Sequence, residues 1–427
     1  MSDSSEKTLW VFNHYAEEPS TGTGLRHYRL ARQLALRGWK TVIFAASTVH
    51  QSDINLVEGD APYVVRDVDG VTFVHVRARP YKGNGRRRIL NILDYVKGCR
   101  RVAPLFSRPD AILASSVHPL SWGLGRRFSR RFRVPWVCEV RDLWPESLVA
   151  YGLIGRGSLA ERALRFYEHR TYRDCDALVF VMEGGADYVK EQGWEKDVSA
   201  SKTCWISNGI DLACFRDERM SFPYDDELLD EKGVFKLVYC GSMGDSDSLD
   251  EYLDAMKGLE ERGISDVRLV LFGDGPRRAE LERRCMDENI AGVFFRGRVK
   301  KRFIPSIVSR ADANVISVKD TGVLRYGCSF NKLYDYLAAG RPIVSNSPLG
   351  KNAAVDSGCV FLAGGSDPSL CDAIVRLHAM PLKERADVGR KASALAEGYD
   401  FSVLAARLDE TLKKAMDGAK GMKGDRL

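Results

Sequence analysis

The residues with the most to offer chemically lie in RYGCSFNKLYDYLAAGRPIV, residues 325–344. NKLYDYLAAG reads as a helix that starts after a loop, stops at a glycine, and hands over at Pro342 to a strand. Lys332 and Asp335 are three apart, so both lie on one helix face beside its N-terminus. A cation next to free backbone amides suits a diphosphate, and a carboxylate one turn on can accept hydrogen bonds from ribose hydroxyls. An ordinary surface ion pair would have the same spacing.

Two glycine turns could bring backbone to the same ligand. FGDGPRRAE (272–280) is a strand, a turn holding Gly273, Asp274 and Gly275, and then a helix whose first N–H groups could meet an anion. A dinucleotide fingerprint would need a third glycine where Arg278 stands, so NAD is a poor match. YCGSMGDSDSLDEYL (239–253) places Gly241, Ser242 and Gly244 after another strand. Asp245 and Asp247 resemble a DxD metal pair, but their place before a helix favours capping. In the first half of the chain, His118 in SSVHP and Asp142 in EVRDLWPES follow consecutive strands. Glu139, Arg141 and Asp142 crowd the second of these strand ends beside Trp144.

Alternating strands and amphipathic helices must position these groups. WVFNH, TVIFAAS, VTFVHV, AILASS, VPWVCEV and ALVFV form one series, and FKLVYCG, RLVLFGDG, VFFRG, ANVISV, PIVSNS and VFLAG a second. This pattern predicts two doubly wound parallel-sheet α/β domains, with ligands at the carboxyl ends of the strands and in the cleft between the domains. Between the series, ISNGIDLACFRDERMSFPYDDELLDEKG reads as a linker.

Composition narrows the class. The 427 residues are 44% hydrophobic, enough for two cores, and carry a net charge of +6. No apolar run reaches the roughly 18 residues of a membrane span. The polar start MSDSSEKTL lacks a signal-peptide core, so a cytoplasmic protein is expected. Ten scattered cysteines without a CxxC pair read as reduced thiols, and the histidines form no metal-ligand pattern. Charge is uneven. Residues 77–108 hold ten basic residues and Asp94 alone as acid, with Ile89, Ile92, Leu93 and Val96 at helical spacing. Arg126, Arg127, Arg130, Arg131 and Arg133 follow. A solvated helix face is the plain reading. An anionic membrane surface or a pyrophosphate-bearing acceptor is the functional one, and no nucleic-acid motif accompanies the charge.

Taken together, these stretches resemble the retaining GT-B glycosyltransferases of family 4. NKLYDYLAAGRP is similar to the family's donor-site signature. The Gly22–Thr23–Gly24 loop, LALRGWKTVIF, EVRDLWPESL, ISNGIDLACF, YCGSMG, FGDGP, RGRV and GYDFSVLAARLDETL match further family motifs in order, across essentially the whole chain. RDLWPES resembles the subgroup that builds bacterial surface polysaccharides, aminosugar transferases included.

The resemblance implies a Rossmann-like acceptor domain over residues 1–215, rejoined by a final helix within 401–427, and a donor domain over 216–400. It implies a nucleotide-sugar donor, with UDP expected, and a lipid-linked or glycan hydroxyl acceptor. No metal or other cofactor is expected. Lys332 would meet the diphosphate and Asp335 the ribose. Gly241, Ser242 and Gly244 would line the pyrophosphate, and Gly273, Asp274 and Gly275 the base and ribose. Arg298 would lie by the base, with Gly22 and Gly24 opposite.

Three departures stand out. Asp335 replaces the usual Glu. The family's other acid would fall on Gly327. Ser242 and Asp247 occupy a region where many members carry Arg and Lys, so neutralisation would fall to Lys332, helix N-termini, and Arg325 or Arg141. Peripheral attachment to the inner face of the plasma membrane through residues 77–108 is expected. An epimerase on the same fold, or a non-catalytic nucleotide-sugar-binding partner, are the alternatives.

Overall fold

The computed structural model describes residues 6–424 apart from 23, 51, 84, 117 and 364–368. The chain divides into two compact units. The first comprises residues 1–207 and 401–427, the second 208–400.

Unit 1 is built on an eight-stranded sheet. Its strands are β1 (Lys7–Phe12), β2 (Trp39–Ala46), β3 (Tyr63–Val68), β4 (Val71–Val76), β5 (Ala111–Ser115), β6 (Trp136–Val140), β7 (Ala177–Phe180) and β8 (Thr203–Trp205). Their order is β3-β4-β2-β1-β5-β6-β7-β8, parallel except that β3 runs antiparallel to β4. The interior strands are apolar on both faces, as helices above and below require. On one face lie α1 (Arg26–Ala35) and α9 (Phe401–Gly424). Phe401, Leu404, Leu408 and Leu412 of α9 enter the same core as Leu30 and Leu34 of α1. α2 (Arg86–Val102), α3 (Leu120–Phe132) and α4 (Leu159–Asp174) belong to the crossovers that follow β4, β5 and β6.

Unit 2 carries a six-stranded parallel sheet. Its strands are β9 (Phe235–Ser242), β10 (Val267–Asp274), β11 (Val293–Gly297), β12 (Ala313–Ile316), β13 (Ile343–Ser345) and β14 (Val360–Leu362), ordered β11-β10-β9-β12-β13-β14. Its helices include α5 (Leu212–Ser221), α6 (Leu249–Glu261), α7 (Arg278–Asp287) and α8 (Asn331–Ala339). Strand order reverses between β1 and β5 in one unit and between β9 and β12 in the other, and open sheets bind ligands outside such points.

Two expectations change here. The expected linker is folded. Asp211 accepts from the Cys214 N–H at 3.0 Å and so caps α5, while Phe215 is buried. The division therefore falls at 207/208, eight residues before the expected 215/216. The strand series also omitted β3 and β8, one half-exposed and the other three residues long, where the apolar signal is weakest. All ten cysteines are free thiols. Among the described residues, no helix is long and apolar enough to cross a membrane.

Candidate active site

In unit 2 the turns after β9 and β10 lie side by side. The strands pair in register through Gly241 with Gly273 and Ser242 with Asp274. The Met243 N–H then bonds the Asp274 carbonyl at 3.1 Å, and the Arg277 N–H the Met243 carbonyl at 3.0 Å. Only glycine permits this approach. A Cβ on Gly273, whose φ is +143°, would fall 1.7 Å from the Gly241 carbonyl oxygen, and one on Gly275 would fall 2.4 Å from that of Met243. Asp274 turns its carboxylate back onto the Gly275 N–H at 2.9 Å.

Lys332, second residue of α8, reaches over these turns. Its ammonium lies 4.5 Å from the centroid of the Tyr239 ring. It donates to Tyr239 Oη at 3.2 Å and sits 3.5 Å from Asp247 Oδ1. Desolvation lowers its pKa, and the Asp247 carboxylate pulls the other way.

Asp247 is a residue whose role sequence reasoning misread. The N-cap of α6 is Ser248. Asp247 instead closes the 242–247 turn, accepting from Ser242 Oγ at 2.9 Å and from the Gly244 N–H at 3.2 Å. Tyr239 Oη donates to it at 3.2 Å. The lysine therefore already has a counter-ion. Asp245 is exposed and outside this set, and among the described residues no group of three or more His, Cys, Asp or Glu could hold a metal ion.

Asp335 lies one turn along α8. Burial, and then the Asp335 charge, hold the Cys240 thiol above its ordinary range, which places the carboxylate beside the end of β9. Tyr336 Oη of the same helix accepts from the Cys240 N–H at 3.0 Å, tying α8 to that strand. Arg298 is exposed just past β11. Arg325 donates to Tyr326 Oη at 2.7 Å and stacks on that ring. Gly327 has φ +91°, a backbone that disfavours the acid the resemblance would place there.

In unit 1 the EVRD crowding resolves into two groups with opposite destinations. Glu139 is 1% exposed. It accepts from Arg26 at 3.0 and 2.7 Å and from Ser115 Oγ at 2.6 Å, with His27 Nε2 at 2.8 Å. Burial would raise its pKa, but Arg26, His27 and Ser115 more than offset that and hold it well below the usual range. This is framework, joining α1 to β5 and β6. Asp142 is solvent-accessible, yet enough protein surrounds it for desolvation to raise its pKa, against the pull of Arg141 and Arg88. No close Arg141–Asp142 ion pair forms among the described residues. The Arg141 N–H is held by Ser116 Oγ at 3.1 Å.

His118 is a packed residue, 3% exposed, with no hydrogen-bond partner on either ring nitrogen among the described residues. Its ring lies 5.0 Å from that of His14. Burial, reinforced by Arg88, lowers its pKa to about 3, so it is neutral at physiological pH. The α3 N-cap is Pro119, so His118 does not cap that helix.

The glycine loop after β1 is already filled. Glu17 Oε2 accepts from the Gly24 N–H at 2.7 Å, and a Cβ on Gly22 would overlap that carboxylate at 2.0 Å. Thr23 lies outside the described residues. An incoming anion would have to displace Glu17.

Arg88 was assigned by its sequence context to a basic outer stripe. In the fold it turns inward. Its Nε donates to Tyr15 Oη at 2.9 Å, its guanidinium faces that ring at 5.4 Å, and its charge reaches His118 and Asp142. Tyr15 meets the His50 ring edge-on, and His50 Nδ1 lies 2.7 Å from Tyr81 Oη. The arginine-rich run hid this residue, because charge alone cannot tell one helix face from another. The stripe itself also splits. Val96 enters the core, and the exposed apolar residues of α2 are Ile89, Leu90 and Leu93. Asp94 is paired with Arg79 at 2.6 Å.

Two family models match the chain side by side. Residues 21–209 match a glycosyl transferase 4-like domain, and residues 234–380 match glycosyl transferases group 1. The chain belongs to the family-4-like glycosyltransferases. Alpha-D-kanosaminyltransferase of Streptomyces kanamyceticus is 26% identical over 163 residues, which are 37% of this chain and 39% of that protein. A GDP-mannose-dependent alpha-(1-6)-phosphatidylinositol dimannoside mannosyltransferase of Mycobacterium tuberculosis is 26% identical over 218 residues, 50% of this chain and 53% of that one. The chain thus spans two-fifths to about half the length of these curated relatives. Among solved structures, the Anabaena protein HepE in complex with UDP aligns with TM-score 0.65 and 15% identity, covering 95% of this chain and 99% of that one. At that identity the likeness is one of fold, and the family-4-like glycosyltransferase has the GT-B class of two parallel-sheet α/β units.

Proposed function

We propose that this protein transfers a sugar from a nucleotide-diphosphate sugar, UDP-linked in the first instance, to a hydroxyl of a lipid-linked or glycan acceptor in surface-polysaccharide synthesis. The observation that carries the reading is the Lys332 site. An ammonium is held over two adjoining glycine turns at the carboxyl end of β9, next to the strand-order reversal. The reaction breaks the bond between the anomeric carbon and the β-phosphate, so the site must stabilise charge growing on that phosphate. Lys332 is fixed in advance by Tyr239 and Asp247 and needs little reorganisation. A single preorganised donor of this kind is worth about 2.7–4 kcal/mol. Asp335 would hold the ribose hydroxyls.

In the retaining course we propose, the departing phosphate takes the acceptor proton. That course needs no side-chain base, and His118, neutral and buried, is not asked to be one. It also needs no metal, since the lysine and backbone supply the positive field. On the acceptor side, Asp142 and the Arg88–Tyr15 pair are the groups presented at the strand ends, and an arginine over a tyrosine suits an acceptor that carries phosphate beside its sugar. Such acceptors are membrane-anchored, and we propose that Arg86, Arg87, Lys97, Arg100 and Arg101, with Ile89, Leu90 and Leu93, meet an anionic membrane surface. At about 1 kcal/mol per basic residue near the bilayer, this face is sufficient for peripheral attachment.

One observation favours a second reading. Gly327 cannot offer a carboxylate to the sugar, which is compatible with nucleotide-sugar binding without transfer. Incubation with UDP- and GDP-sugars and a lipid-linked acceptor separates the two readings. A product heavier by one glycosyl unit is expected. Saturable donor binding with neither transfer nor isomerisation would establish the second reading, and isomerised donor would establish an epimerase.

A further inference from the structure

The outer layer of unit 1 holds a second concentration of charge, away from α2's apolar stripe. A groove of about 400 Å³ is lined by Gly123, Arg126, Arg127 and Arg130 of α3 and by Tyr167 of α4. α3 has four arginines and no acid in its 13 residues. The carboxylate paired with α3's arginines among the described residues is Asp174, at the end of α4. Four guanidiniums share it, those of Arg126 at 2.5 Å, Arg130 at 3.9 Å, Arg170 at 3.8 Å and Arg173 at 3.0 Å. Arg127 lines the same groove, so the cations there far outnumber the carboxylate.

That excess is costly unless an outside anion relieves it, because like charges at this separation repel. Arg126 shows the strain. Desolvation lowers its pKa and the charges of Arg130 and Arg170 add to that, so the Asp174 attraction is outweighed. Its Nε is buried and lacks a hydrogen-bond partner among the described residues. The groove has room at its floor because residue 123 is glycine. A Cβ there would meet Tyr167 Oη at 3.1 Å.

We propose that this groove binds the phosphate of an anionic phospholipid headgroup. Guanidinium forks match phosphate oxygens in pairs. The rim decides between a lipid and a soluble anion. Phe166, next to Tyr167, is 67% exposed, and Leu159, two turns earlier on α4, is 83% exposed. Arg162, Arg170 and Arg173 share that outward stripe. Large apolar side chains interleaved with arginines are what an interfacial helix presents to the headgroup and acyl boundary, and a soluble anion makes no use of them. The inference extends the reading of unit 1 as membrane-facing, adding a headgroup site that α2 does not contain.

The test uses the full chain and vesicles of phosphatidylcholine with or without phosphatidylglycerol. Three proteins are compared: wild type, Arg127→Gln/Arg130→Gln, and the α2 variant Arg86→Gln/Arg87→Gln, with thermal melts confirming that each is folded. The α3 variant should lose roughly twenty- to thirtyfold in affinity for anionic vesicles, and Phe166→Ser should lower binding further. Wild-type affinity in the α3 variant, with binding lost in the α2 variant, would overturn the headgroup site and leave α2 docking standing. Absence of wild-type binding to any vesicle would overturn both. Calorimetric titration with inorganic pyrophosphate completes the test. Tight pyrophosphate binding that vanishes in the α3 variant while vesicle binding persists would assign the groove to a soluble anion and overturn the lipid assignment.

Discussion

The carboxyl ends of the two sheets treat charge in opposite ways. In unit 2 the lysine, the tyrosine and the aspartate converge on two glycine turns, and Lys332 remains 19% exposed beside open backbone. In unit 1 the deeply buried ion pair of Arg26 with Glu139 is 4% and 1% exposed. It ties helix to sheet, while Asp142, just past the same strand, is left solvent-accessible. Cation and carboxylate are therefore left partly exposed beside the turns in one unit and sealed between helix and sheet in the other. What separates them is whether each polar atom is satisfied by its own fold.

Removing charges should expose that difference. Glu139→Ala leaves Arg26 buried without its partner, which costs about 3–5 kcal/mol. Urea denaturation should show that loss, whereas Asp142→Asn should stay within about 0.5 kcal/mol of wild type, as solvent-accessible sites do. Comparable destabilisation in both would erase the distinction. Lys332→Ala should lower kcat/KM about a hundredfold, in line with one preorganised charged donor, with the melting temperature little changed. A rate near wild type would remove Lys332 from the mechanism.

Acid should act on unit 1 through its buried imidazoles, since burial lowers the pKa of His14, His27 and His75 as well as of His118, and His118 carries one share of that acid limb. The folded His118 pKa of about 3 lies below its ordinary value of about 6.5, so the unfolded state binds the proton first. The associated stability is intact above about pH 6.5 and declines as pH falls toward 3, by about 1.4 kcal/mol at pH 5.5. His118→Gln should flatten that limb of a melting-temperature profile, and an unchanged profile would place the acid sensitivity elsewhere. Smaller still, Asp335→Ala should weaken free nucleotide diphosphate severalfold by calorimetry, the loss of one or two ribose hydrogen bonds at about 0.5–1.5 kcal/mol each. EDTA should leave transfer unchanged, and restoration by Mg²⁺ or Mn²⁺ after chelation would bring Asp245 and Asp247 back as ligands.

Much of the turn region of unit 2 could be read from residues in order. The GDG turn announces itself because no other residue tolerates a Cβ 1.7 Å from a carbonyl oxygen, as Gly273 would have, and NKLYDYLAAG has a helix pattern with a glycine stop. The strand ends of unit 1 were less legible. Glu139, Arg141 and Asp142 are neighbours in sequence, but they part ways because Glu139 is inside β6 whereas Arg141 and Asp142 lie beyond its end at Val140. Glu17 seated on the Gly24 amide leaves no mark in composition. Neither does Arg88 turning inward from a basic run.

The amino-acid sequence by itself determined the two parallel-sheet α/β units, the glycine turns and the helix that carries Lys332. Each depends on local periodicity or on a backbone that one residue type alone can adopt. Only the tertiary structure decided which charges are spent inside. Asp247 meets Lys332 from 85 positions away, and Arg26 finds Glu139 across 113. Such pairings are settled by which strands lie adjacent and which helix faces them, and no spacing along the chain encodes that distance.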